Sequence, residues 1–282
     1  MHQLPFTYSP ITDRPPLEWP GGARVAVYIG LNVEHFVPGL PSTSLWEGTA
    51  ALVPDPLNHG WRDYGARVGI WRLIESLDRH GLRASALLNA DVVDQNPQII
   101  AAGLQREWAW LAHGRNNSTL QTGMALDEER AYLTDVVATI ERGTGRRPRG
   151  WLGPGLTETL ETPRLLAELG LRYVLDWTND DQPYPLTIPG MLSVPYSVEL
   201  NDLNLRGLSG PDVQRLITDQ FDQLYAEGGR VMALALHPFV SGQAFRIKYI
   251  DSALAHIAGH ADVWLTTSDE IAERYVLRAA AT

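Results

Sequence analysis

Apolar runs in this chain repeatedly stop at a polar or titratable residue. Arg24–Glu34 (RVAVYIGLNVE) ends in Glu34, Trp108–His113 (WAWLAH) in His113 and Val231–His237 (VMALALH) in His237. Tyr173–Trp177 (YVLDW) carries Asp176 near its end, and Arg149–Gly153 opens the turn Gly153-Pro154-Gly155. Runs this short and this continuously apolar predict strands buried on both faces, as in a parallel sheet flanked by helices. The chemistry of such a fold sits at the carboxyl ends of its strands, which is where these residues fall.

The rhythm predicts strands at Arg24–Glu34, Arg83–Asn89, Trp108–His113, Gly150–Gly153, Tyr173–Trp177, Leu192–Tyr196, Val231–His237 and Val263–Thr266. Helices are expected at Gly65–His80, Pro97–Leu104, Asp127–Gly143, Thr162–Leu169, Pro211–Glu227, Ile247–Ile257 and Ser268–Tyr275. Local signals agree. Leu126-Asp127-Glu128-Glu129 places carboxylates where a helix macrodipole favours them, and Gly81, Gly143 and Gly170 stand where helices should stop. Alternating strands and helices indicate an α/β fold with a mostly parallel sheet. The count approaches that of a (β/α) barrel and leaves seven or eight strands open.

Two segments break the rhythm. Residues 1–23 hold five prolines without periodicity and read as an N-terminal arm, laid across the domain or onto a neighbour; residues 24–282 form the single domain. Phe36–Tyr64 reads as a long Pro- and Gly-rich loop leaving the first strand beside Glu34, and loops of that length are usually lids or binding loops.

Composition narrows the function. At 282 residues and 44% apolar content the chain can bury a large core. A net charge of −10 and a pI near 5.2 argue against nucleic acid or an anionic membrane as partner. Cysteine is absent, which excludes disulfides, thiolate metal sites and cysteine nucleophiles. No apolar run is long enough to span a bilayer, and the N-terminus lacks the pattern of a signal peptide, so a cytoplasmic enzyme of small-molecule metabolism is expected. The proline-rich arm makes a homo-oligomer the expected assembly.

Each candidate has a bland reading beside the chemical one. Asp176 and His237 read either as a turn cap and a core histidine or as a carboxylate–imidazole pair able to protonate a leaving group. Standing on two strand ends of one sheet, they lean somewhat towards chemistry. His113 and Asn117 have the four-residue spacing of metal ligands, but an amide is a weak ligand for zinc-like ions. On spacing alone they read as a polar turn. Glu34 is equally a surface turn residue or a general base or ligand. Gly150-Trp151-Leu152-Gly153-Pro154-Gly155 is a rigid turn suited to presenting N–H groups to an oxyanion. There is no Gly-x-Ser-x-Gly elbow, dinucleotide fingerprint or His-Glu-x-x-His.

Taken in order, five segments resemble the NodB-homology polysaccharide deacetylase superfamily, and within it the branch related to cofactor-independent bacterial allantoinases. They are Leu31–Glu34, Ala112–Gly114 with Asn117-Ser118, Gly150–Gly155, Asp176-Trp177 with Asp180–Tyr184, and Leu236–Pro238 with Gly242-Gln243. The resemblance spans about Arg24 to Tyr275 and implies a distorted (β/α) barrel that hydrolyses a non-peptide carbon–nitrogen bond. It maps the sugar deacetylases' metal site onto Glu34, His113 and Asn117, which looks vestigial, so no cofactor is expected beyond a weakly bound zinc-like ion. Their arginine maps onto Arg149 and their Asp–His acid pair onto Asp176 and His237. On this basis Glu34 would orient or deprotonate water, and backbone N–H groups or the Asn117 amide would meet the oxyanion. His237 poised by Asp176 would protonate the leaving nitrogen. His113 and Arg149 would position substrate or tune Glu34, and Trp151 and Trp177 would wall the pocket. The expected substrate is a small cyclic amide, imide or ureide. The alternatives are metal-dependent N-deacetylation of a saccharide, and an inactive barrel that only binds a ligand.

Overall fold

The computed structural model describes residues 4–279. In chain order the strands are β1 (Val25–Val33), β2 (Ala84–Leu88), β3 (Ala109–Ala112), β4 (Gly150–Trp151), β5 (Tyr173–Val174), β6 (Tyr184–Pro185), β7 (Leu192–Ser193), β8 (Arg230–Leu236) and β9 (Val263–Leu265). The helices are α1 (Pro56–Tyr64), α2 (Ile70–Arg79), α3 (Val92–Gln95), α4 (Pro97–Gln105), α5 (Leu126–Thr144), α6 (Thr162–Glu168), α7 (Gly210–Glu227), α8 (Pro238–Ser241), α9 (Ile247–Ala258) and α10 (Ser268–Ala279). All the strands join one sheet, in the order β6-β7-β5-β4-β3-β2-β1-β8, with β9 also on β1. Pairing is parallel throughout except between β6 and β7. The result is a mixed α/β half-barrel in one domain. Among the described residues no helix is long and apolar enough to cross a membrane.

Every expected strand is present, several of them shorter than the apolar run that announced it. Beyond expectation is β6, two residues including a proline on the sheet edge, too short and too polar to carry a periodic signal. The segment expected as an open loop contains α1, whose Asp55 side chain accepts from the Asn58 N–H and whose first residue is Pro56. α1 runs into a π-helical turn, Gly65–Gly69, before α2. Both turn glycines are there for proximity. A Cβ on Gly65 would lie 2.9 Å from the Phe239 nitrogen, and one on Gly69 would lie 1.9 Å from the Pro238 carbonyl oxygen. The turn therefore packs backbone-to-backbone against the segment that follows β8.

Among the described residues the half-barrel has two large cores, one on each side of the sheet, and a small third cluster of Phe36, Phe239 and Val240. Val25, Val27, Ile29, Leu31 and Val33 of β1 pack outward with the helices, as do Trp110, Trp151, Val174, Met232, Leu234 and Leu236. Ala26 and Tyr28 face the interior with Leu111, Leu152, Tyr173, Leu175, Tyr196, Ala233 and Ala235. The two-residue alternation of a strand makes this division. At full depth the outer core buries large aliphatic and indole side chains, and at about 25 cal/mol per Å² such burial supplies the main driving force for folding.

The sheet does not close. Among the described residues β7 and β8 do not pair, and an isolated bridge joins Asn201, beyond β7, to Ala235 of β8. Ala235 N–H donates to the Leu200 carbonyl (3.3 Å) and Asp202 N–H to the Ala235 carbonyl (3.1 Å). An irregular segment thus fills the gap and delivers Asp202 to the end of β8. Of the arm expected over residues 1–23, the described part, residues 4–23, lies across the domain, and residues 1–3 fall outside the described residues. Trp19 is buried with its indole N–H on the Arg230 carbonyl (2.9 Å), and Arg14 forks onto Asp180.

Candidate active site

Interior-facing rows on three strands end in three titratable side chains. Counting inward in twos, β1 leads to Asn32 and Glu34, β3 leads to His113 and β8 leads to His237. All three strand ends meet above the interior core, at a cavity of about 320 Å³ whose lining includes Asn32, Glu34, His113, Asn117, Tyr196 and His237. Pro41, Ser42 and Thr43 of the long loop cover one side of it. That loop is fastened down, since Ser42 Oγ donates to the Asn117 carbonyl (2.6 Å) and Arg62 to the Thr43 carbonyl (2.8 Å).

Glu34 is the centre. Its Oε1 lies 3.4 Å from His113 Nε2 and 3.5 Å from His237 Nε2, and it accepts from the Asn117 side-chain amide. Burial by itself would raise the Glu34 carboxyl, but the charge on His237, its hydrogen bond and the nearby His113 ring hold it down at about 2. Burial would likewise favour a neutral His237, yet Glu34 on one side and Asp202 on the other push that imidazole up to about 10. At neutral pH the site therefore holds a carboxylate and an imidazolium side by side.

The partner of His237 is Asp202, not Asp176. His237 Nδ1–H donates to Asp202 Oδ1 at 2.6 Å, while Asp202 Oδ2 accepts from the His237 backbone N–H (2.8 Å) and from Ser241 Oγ (2.6 Å). This arrangement fixes the proton on Nδ1 and aims Nε2 at Glu34 and the cavity. Asp176 follows β5 with the outward parity of Val174, and its Oδ1 accepts from the Gly153 N–H at 2.7 Å. That bond commits one of the turn's N–H groups and anchors the Gly153–Leu156 turn. Beyond the turn, burial raises Asp176 to about 7, and burial together with the nearby Asp176 charge raises Glu158 to about 8.

Three further expectations are corrected. Arg149 precedes β4, at the opposite end of the strands from Glu34, is exposed, and faces Glu273 at 3.4 Å. Trp151 points outward into the helix-side core and is fully buried there, because its parity on β4 is that of the outer row. Trp177 packs edge-on against Phe6 of the arm, with ring centroids 4.9 Å apart, rather than against the cavity. Residues missed by sequence reasoning are Asp202, Asn201, Asn89 and Tyr196. Tyr196 was legible, since it ends the interior row of Leu192 and Val194. Its ring sits where β1 has only Gly30, whose added Cβ would lie 3.3 Å from it.

Whether a divalent ion suits Glu34, His113 and Asn117 is decided by an amide chain. The His35 N–H donates to Asn89 Oδ1 (2.8 Å), so the Asn89 NH₂ faces Asn117 Oδ1 (3.0 Å) and the His113 carbonyl. Asn117 must then turn its NH₂ towards Glu34. Its only metal-ligating atom points away from the site, and the donor set reduces to one carboxylate and one imidazole. A divalent ion is poorly served by these residues. The same orientation commits one of the two Asn117 N–H groups to Glu34.

Comparison with known proteins agrees with this architecture. Residues 62–174 match the family described as polysaccharide deacetylase. The crystal structure of PuuE allantoinase superposes with a TM-score of 0.83 at 26% identity, covering 94% of each chain. A Schizosaccharomyces pombe protein named as a candidate polysaccharide deacetylase is 25% identical over 91% of this chain and 92% of its own length. The peptidoglycan deacetylase of Helicobacter pylori is 25% identical over 80% of this chain and 89% of that one.

Proposed function

We propose that this chain, whose residues 62–174 match the polysaccharide deacetylase family, is a hydrolase that opens a small cyclic amide, imide or ureide, with Glu34 and His237 as base and acid. The observation that carries this reading is the pairing of the Glu34 carboxylate with the His237 imidazolium 3.5 Å away, at the wall of a small covered cavity. The cavity volume of about 320 Å³ is near the lower end of small-molecule pockets and suits a compact ring better than a polymer.

The chemistry follows from the two charges. A water held by Glu34 attacks the substrate carbonyl carbon. The bond to nitrogen breaks as His237 Nε2 gives that nitrogen its proton. The His237 charge is what holds the Glu34 carboxyl low, so donation by His237 raises the affinity of Glu34 for the proton leaving the water. The base thus strengthens as the acid discharges. Return of that proton across the 3.5 Å gap to His237 restores the starting state. Asp202 stabilises the cation and fixes its tautomer. His113 donates Nδ1–H to the Leu152 carbonyl (2.6 Å), which directs its Nε2 at Glu34 and the substrate. Tyr196, which burial keeps protonated, offers its hydroxyl to a substrate carbonyl.

The names of the deacetylase relatives favour a second reading, release of acetate from an N-acetylated saccharide. One experiment separates the two: purified protein is assayed with cyclic ureides and imides and with chito-oligosaccharides, each with and without chelator. Ring opening that survives chelation is expected. Acetate release that chelator abolishes, with no ring opening, would replace this reading by the second.

A further inference from the structure

We propose that Asp222, His256 and His260 form a second, separate site, a zinc-type site that clamps the end of α9 to α7. Each residue offers one ligand atom, and the three atoms lie within 4.8 Å of one another. Among the described residues this is the one group of three histidine, aspartate or glutamate side chains so placed, and it shares no residue with the central cavity. Two imidazoles and a carboxylate are the donors that zinc and its neighbours prefer, leaving a fourth position to water.

Three features indicate a built arrangement. His256 stands in the last turn of α9 and His260 two residues beyond its end, where the chain turns and brings the centroids of the two rings within 4.7 Å of each other. His260 Nδ1 lies 2.8 Å from the His256 carbonyl oxygen. A carbonyl can only accept, so the ring proton is on Nδ1, and Nε2 keeps its lone pair; backbone carbonyls orient ligating histidines in just this way. His256 Nε2 and Asp222 Oδ1 are hydrogen-bonded at 2.7 Å, so an ion would take the place of the shared proton and spread the pair to the roughly 3.3 Å of two ligands on one tetrahedral ion. The rings are held by packing as well. His260 meets Phe221 edge-on at 4.9 Å and Tyr225 at 5.3 Å, and Phe221 also meets His256 at 5.7 Å. The imidazoles are therefore partly ordered before any ion arrives, which reduces the entropy lost on binding.

The consequence is mechanical. α7 precedes β8, the strand that leads into His237, and α9 follows it, so an ion joining them would brace both helices around that strand. The test is calorimetric titration of the full chain with Zn²⁺, paired with thermal melts, for wild type, a His256→Gln/His260→Gln double variant, His260→Gln alone and Glu34→Gln. Wild type and Glu34→Gln should bind one equivalent, with a Tm that rises and saturates. His260→Gln should weaken binding by about 10–100-fold or more, and the double variant should lose both the heat and the Tm rise. Absence of saturable binding in wild type would overturn the proposal. So would binding that persists in the double variant or that vanishes in Glu34→Gln, the latter placing the ion in the central cavity.

Discussion

Replacing Asp202 by asparagine should disarm His237 while leaving the packing almost unchanged. Asp202 Oδ2 accepts from the His237 backbone N–H and from Ser241 Oγ, so the asparagine must place its own oxygen there. Its NH₂ then takes the position of Oδ1 and faces His237 Nδ1, donor against donor if the ring is charged. Loss of an opposite charge at hydrogen-bond range lowers a histidine pKa by about 1–3 units, which is about 1.4–4 kcal/mol of preference for the protonated ring. The His237 imidazole, held at about 10 in the native protein, should therefore titrate within the accessible range. NMR titration of the ring, assigned by comparison with His237→Gln, reads this without a substrate. In the kinetic assay, the alkaline limb of kcat/KM should move down by the same interval, and kcat should fall roughly 10²–10⁴-fold. An unmoved His237 titration in Asp202→Asn would refute the reasoning. A shift produced instead by Asp176→Asn would return the pairing to the one expected from sequence.

Other perturbations probe separate parts of the account. Glu34→Gln should abolish turnover and also lower the His237 titration, since Glu34 supplies much of the charge that holds that proton. Asp176→Asn should stabilise the protein at pH 8 but not at pH 4. The folded pair of Asp176 and Glu158 keeps protons that the unfolded chain releases, so native stability falls as pH rises from the ordinary carboxylate range through about 7 and 8; thermal melts across that window check the sign. Gly69→Ala should cost about 1–3 kcal/mol in denaturant unfolding and slow turnover, because its Cβ must push the π-helical turn away from Pro238, next to His237. Arg149→Ala should leave activity unchanged, and a large loss of kcat/KM would contradict its position at the far end of the strands.

Much of this molecule is legible in one dimension. Continuous apolar runs fixed the strands, because a strand buried on both faces can hold nothing else, and the residues that end them mark the catalytic end of the sheet. Strand parity adds more: Glu34, His113, Tyr196 and His237 all fall on interior rows, whereas Trp151 does not. What the sequence could not show is which carboxylate meets which histidine. Asp176 stands on an apolar run with the right residue type, but its parity turns it to the Gly153 turn. Asp202 lies in irregular chain with no periodicity, and reaches His237 only because the sheet stays open between β7 and β8 and that segment fills the gap. The Asn117 amide is likewise oriented by a relay that begins at a backbone N–H on another strand end and passes through Asn89. Local pattern determines where each strand ends. Hydrogen bonds between segments distant in sequence decide what those ends can do.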